Sequence, residues 1–249
     1  MQRFSALASL GISTSVALAA LAVTVASADQ TNPALPAVGV TQSYAATQQY
    51  QSPGGYMPPG AMQYKGVTMP HDQSGMLMLN RTAPDQVHLT ASGGLDAFDA
   101  TQHVDNNGRV AQPSSPYPFI DLLNNVSAMM ANAPASLQKD ATWKATIDAP
   151  GWESVVMGGS MPKQMKSLDV TMRVVSVSGN TTQLHGDGRM VTTEHTISGD
   201  TSATIETTLD CTLVSGQMQR CAVVHSEGVS FAAMNVNMSI ADTVTMTKK

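Results

Sequence analysis

Cysteine, aromatic side chains and charge are all scarce in this sequence, and each scarcity removes a class of function. Two cysteines in 249 residues are too few for a disulfide-framework scaffold or a cysteine-rich zinc module. Aromatic residues make up 4% of the chain and charged residues 12%, and the 13 lysines and arginines nowhere cluster. A nucleic-acid surface needs a basic patch against phosphate and, for single strands, aromatic rings interleaved with it. Neither is present, so no nucleic-acid partner is expected. The same shortage argues against charge-driven binding to an anionic membrane surface. After residue 28, no run of apolar residues approaches the roughly 18 that a membrane-spanning helix requires, so no stable membrane span is expected.

Motifs with a fixed chemistry are missing too. There is no G-x-S-x-G elbow, H-E-x-x-H pair, phosphate loop or dinucleotide fingerprint. Ser160-Met161-Pro162-Lys163 spells S-x-x-K and Ser178-Gly179-Asn180 spells S-x-N, two of three signatures of serine β-lactamases. No K-T-G follows, and Gly158, Gly159 and Pro162 oppose the helix that would set Lys163 one turn after Ser160, so both read as coincidence.

What is present begins with a leader. Arg3 precedes an uncharged stretch rich in Ala, Leu and Val, which ends at Ala26-Ser27-Ala28 before Asp29. This is the pattern of a secretory signal peptide over 1–28, which implies a periplasmic or extracellular location. Gly11, Ser13, Thr14 and Ser15 interrupt the apolar stretch and leave Val16–Val25 too short to anchor in a bilayer. Loss of Arg3 with the leader makes the formal charge of −5 one unit more negative.

Residues 29–83 differ in composition, being rich in Pro, Gln, Gly and Tyr with almost no charge. Such a segment reads as a disordered arm, because it offers little apolar surface to offset its chain entropy. Methionine is concentrated in it: five fall between Met57 and Met78, against eleven in all of 79–249. Within TMPHDQSGMLML, the group Met69, His71, Met76 and Met78 brings soft thioethers beside an imidazole, a donor set suited to Cu(I) in an oxidising compartment. The plainer reading is that Met76 to Leu79 open the first strand of the folded part.

Residues 84–249 are long enough for one domain with a core. Turn signals at Ser92-Gly93-Gly94, Asp105-Asn106-Asn107-Gly108, Ser178-Gly179-Asn180, Gly186-Asp187-Gly188, Ser198-Gly199-Asp200 and Ser215-Gly216-Gln217 separate runs rich in Val, Thr, Ile and Met. Ala203, Ile205, Thr207, Leu209, Cys211 and Leu213 alternate with polar residues, as do Val236, Met238, Ile240, Val244 and Met246 with Asp242 as the exception. Asp242 therefore marks either a bulge or the point where the strand leaves the core, or else a carboxylate lining a pocket. One helix is predicted in PFIDLLNNVSAMMANA, where Phe119, Leu122, Leu123, Val126, Met129 and Met130 recur at intervals of three and four between Pro118 and Pro134. Trp143, Ala145 and Ile147 lie on a strand beyond it. The expected architecture is α+β: an antiparallel meander of about eight strands, curved or two-layered, with one or two helices packed on it.

Cys211 and Cys221 flank Ser215-Gly216-Gln217. A three-residue loop centred on Gly216 sets the two cysteines opposite each other and Leu209 opposite Val223. A metal site would need further ligands, of which only His225 is in phase, and a thiol redox motif would need C-x-x-C. The pair is expected to be a disulfide that staples the hairpin.

These features point to an exported, non-catalytic binding or interaction protein of the envelope or the extracellular space, whose curved sheet and helix hold an apolar ligand or an envelope partner. Two alternatives remain: a periplasmic copper-binding protein using Met69, His71, Met76 and Met78, and a small secreted hydrolase, which would need a Ser or His beside a carboxylate in a cleft.

Overall fold

Alternating side chains build nearly everything here. In the computed structural model, residues 32–51, 63–64, 67–68, 71–113, 117–151, 164–196, 199–231 and 236–249 are described. The strands are β1 (Thr41–Gln51), β2 (Gln63–Tyr64), β3 (Val67–Thr68), β4 (Gln73–Ala83), β5 (Gln86–Gly94), β6 (Asp99–His103), β7 (Thr142–Gly151), β8 (Gln164–Ser178), β9 (Thr181–Thr196), β10 (Gly199–Val214), β11 (Gln217–Phe231) and β12 (Val236–Lys248), and the helix is α1 (Pro118–Ala131). Ten strands form one antiparallel sheet in the order β6-β5-β4-β1-β12-β11-β10-β9-β8-β7, while β2 and β3 pair only with each other.

The order resolves into two meanders. One runs β1-β4-β5-β6 and the other β7 through β12, and they are joined where the first large strand, β1, pairs with the last, β12. Segments some 200 residues apart in sequence therefore lie side by side in the sheet, with Tyr44 opposite Lys248 and Gln51 opposite Ala241. Helix α1 is the crossover from β6 at one edge to β7 at the other. It packs most closely on β7 and also reaches β11 and β12. A sheet this wide curls through its accumulated twist, and the helix fills the covered face.

The core lies between the two. Phe119, Ile120, Leu123, Val126 and Met129 of α1 meet Trp143, Ile147, Leu168, Leu209 and Val223 from the sheet, all fully or nearly fully buried. The Trp143 indole Nε1 donates to the Met129 carbonyl at 2.7 Å, which occupies one of the carbonyls that a helix leaves without an intrahelical partner at its last turn. Asn32 lies beneath the helix as well, donating to the Leu123 and Gly108 carbonyls at 2.9 Å each.

Several expectations are corrected. The main sheet has ten strands rather than about eight, all in a single sheet, and one helix stands among the described residues. Eight of those ten strands do fall after Pro84; the other two, β1 and β4, come from the segment read as a disordered arm. Its composition misled because β1 hides its alternation: Gln42, Tyr44, Ala46 and Gln48 turn inward, and only two of the four are apolar in name. Backbone pairing to β4 on one side and β12 on the other fixes that strand in place. Pro84 is likewise no boundary, since β4 and β5 form a hairpin around Pro84 and Asp85.

Two turn signals prove to be strand. Ser92, Gly93 and Gly94 complete β5 against β4. Gly186, Asp187 and Gly188 lie inside β9, where a Cβ at Gly186 would collide with the Met172 side chain; the glycine marks crowding on the inner face. The cysteine hairpin also differs in detail. Ser215 and Gly216, both with positive φ (51° and 79°), make a two-residue turn, and a bulge beyond Thr212 restores the register, so that Cys211 still opposes Cys221 and Leu209 still opposes Val223. The two cysteines are joined in a disulfide.

Candidate functional site

A row of polar side chains crosses the covered face of the sheet. Gln73 on β4, Gln48 on β1, Asp242 on β12, and His225 on β11 with Thr207 on β10 are all buried. The register aligns them: Gln73 opposes Gln48, Asp242 lies between Tyr50 and His225, and His225 opposes Thr207. Buried polar groups on an otherwise apolar face are costly unless bonded.

Their bonds run in one direction. The Asp96 backbone N–H, which can only donate, bonds to Gln73 Oε1 at 2.9 Å. That turns Gln73 Nε2 to Gln48 Oε1 at 2.7 Å, and Gln48 Nε2 in turn donates to both oxygens of Asp242 at 3.0 and 3.1 Å. Both amide orientations are thus fixed by the network itself. On the far side, Thr207 Oγ1 and His225 Nδ1 are 2.8 Å apart. Tyr50, half-buried, keeps its phenol proton to higher pH than usual, first because it is partly withdrawn from water and second because the Asp242 charge is near.

Asp242 opens onto a narrow crevice between α1 and the sheet, of about 10 Å³, the space one water needs, and partly open to solvent. Helix residues Pro118, Asp121, Leu122 and Asn125 form one wall, on the i, i+3, i+4, i+7 stripe that faces the strands. Val223 and His225 of β11 and Val244 and Asp242 of β12 form the other. The pairings of β12 with β1 and β11 run through Asp242 without a register shift. The register excludes a bulge, and the strand does not leave the core there, since Asp242 is buried and the pairing continues beyond it; its carboxylate lines this crevice.

The methionine group is only partly described. Met69 lies outside the described residues. His71 Nε2 is 3.2 Å from Asp96 Oδ1. Met76 and Met78 leave β4 on the outward face, opposite the side of Leu77 and Leu79, and Met78 is 43% exposed. Among the described residues no three of His, Cys, Asp and Glu stand together as a metal-binding group. The signal-like leader and Ser160–Lys163 also lie outside the described residues. Among the described residues, no helix is long and apolar enough to cross a membrane.

Sequence reasoning missed Gln48, Gln73 and Asn125. The two glutamines sit in the supposed arm, and Asn125 was one of two asparagines inside a helical stripe. Thr207, His225 and Asp242 were legible in principle, as the polar members of inward-facing alternations. No protein-family model matches the chain, and no curated protein is similar enough to count as a relative.

Proposed function

We propose that the chain is an exported, non-catalytic binding protein that holds a largely apolar ligand between its curved sheet and α1. The observation that supports this reading is the seam between α1 and the sheet, where Leu122, Val223 and Val244 meet a small set of buried polar groups around a water-sized crevice. Few convergent polar groups among apolar side chains is the usual make-up of a small-molecule site, and a site of the usual size, about 300–1,000 Å³, requires α1 to part from the sheet when the ligand enters. Export draws support from the leader pattern and from the Cys211–Cys221 disulfide, a bond that persists in oxidising compartments.

The hydrolase alternative gains His225 beside Asp242 in one cleft. Its geometry argues against a nucleophile, however. Thr207 engages Nδ1, the nitrogen that a triad reserves for the orienting acid, and Thr207 does not line the cleft. The copper alternative rests on Met76 and Met78 sharing the exposed face of β4. Its test is Cu(I) titration of the exported protein and of a Met76→Leu, Met78→Leu variant. Equal affinity in the two would discard a role for these thioethers.

Native mass spectrometry of protein recovered from the periplasm or medium tests the main reading. The expected mass begins at Asp29, is two hydrogens short of the reduced chain and carries a ligand adduct released by organic solvent. A chain still bearing residues 1–28, with two free thiols and no adduct, would overturn it.

A further inference from the structure

Three asparagines are buried around α1, and only one has an end still to be matched. Asn32 donates to two carbonyls and accepts from the Ala34 N–H at 2.9 Å. Asn124 clasps Val110 in both directions, accepting from its N–H at 2.7 Å and donating to its carbonyl at 2.9 Å. Asn125, 1% exposed, accepts from the Asp148 N–H of β7 at 3.2 Å, while its Nδ2 has no hydrogen-bond partner among the described residues. An N–H can only donate, so Asp148 sets the amide with Oδ1 toward β7 and leaves the amino group for another acceptor.

Asn125 also lines the crevice between α1 and the sheet, whose space of about 10 Å³ admits one water and nothing larger. Size alone does not fill such a space, because an apolar one stays dry and a water needs several polar partners. Here the sheet brings the Asp242 carboxylate and the His225 ring, and the helix brings Asp121 one turn before Asn125. Each of these three already has partners of its own. None has to be idle, since a carboxylate accepts several hydrogen bonds at once. The amino group of Asn125 is the positive end of its amide dipole, so a cation in the same space would meet it unfavourably. Water suits both sides, accepting from the amide and donating to a carboxylate. Leaving a buried donor unmade also costs more than the usual entropy of fixing one water.

We propose that this crevice is a site for a single ordered water, which accepts from Asn125 Nδ2 and donates to Asp242. Chains of donors then converge on Asp242 from both flanks of the covered face. On one flank the Asp96 N–H leads through Gln73 and Gln48; on the other the Asp148 N–H leads through Asn125 and the water. The water thereby joins edge strand β7 and α1 to β12 in the middle of the sheet. None of this rests on the ligand reading, because these bonds belong to the seam with α1 seated on the sheet.

The test uses the exported protein, unaltered and washed free of any retained ligand. In solution, rotating-frame cross-peaks to the water resonance separate dipolar contact from proton exchange by their sign. The side-chain amide protons of Asn125 should show dipolar contact with a long-lived water, and those of Asn124, whose bonds to Val110 are complete, should show none. In crystals, one water should lie about 2.7–3.2 Å from both Asn125 Nδ2 and a carboxylate oxygen of Asp242. Asp242→Leu should abolish the Asn125 cross-peak; the two measurements on the unaltered protein decide the matter even if that variant misfolds. An Asn125 amide without water contact in solution, or a crevice that is dry or holds an ion in the crystal, overturns the site. A water that touches Asn125 but not Asp242 overturns Asp242 as its acceptor, and with it the convergence of donors.

Discussion

Cys211 and Cys221 oppose each other through a bulge that no residue pattern announces, and the consequence for stability is local and calculable. Closing a loop of ten residues removes unfolded-chain entropy worth about 2.5–3 kcal/mol. The Cys211→Ser, Cys221→Ser protein should therefore melt roughly 5–10 °C lower by calorimetry while keeping its β-sheet circular dichroism. An unchanged melting temperature would refute the staple. The pairing was readable from sequence because two residues at equal distance from a turn signal meet on one face. The loop's true form was not, since the extra residue at the bulge and the shorter turn compensate each other in the register.

At the scale of the element, α1 was the most legible part of the chain and the least replaceable. Its three- and four-residue spacing, with Pro118 at the first turn, gave its limits almost to the residue. Burial is more complete than an amphipathic stripe suggests, for Asn124, Asn125 and Ser127 are buried along with the apolar residues. That follows from its position as the crossover filling a curled sheet, a fact no helical periodicity contains. Leu123, fully buried, should cost about 2–5 kcal/mol when truncated to Ala, seen as a fall of roughly 5–15 °C in melting temperature. A shift below about 1 °C would mean that the helix is not packed as described.

For the whole molecule, two buried tyrosines and a half-buried one tie the fold to alkaline pH. Burial raises Tyr44 well above its usual value despite the hydrogen bond from Gln42. Burial, and then the nearby charge of Asp96, does the same for Tyr117, as burial and Asp242 do for Tyr50. Unfolded tyrosines ionise near pH 10, so above that pH the folded chain holds more protons than the unfolded one. Their contribution is complete below about pH 10 and is lost as pH rises through the folded values. Urea midpoints should accordingly fall above about pH 10, and less steeply in Tyr44→Phe, Tyr117→Phe; an equally steep fall would place the alkaline sensitivity elsewhere. By itself the sequence determined the alternation of Ala203–Leu213, the helix, the cysteine partner and the inward place of Asp242, because these depend on spacing along a single segment. Only tertiary structure decided that β1 and β4 belong to the sheet, that β1 and β12 pair with each other, and that Gln73, Gln48, Asp242 and His225 align across neighbouring strands. Those facts depend on which strand lies beside which, and strands far apart in the chain carry no local mark of their neighbours.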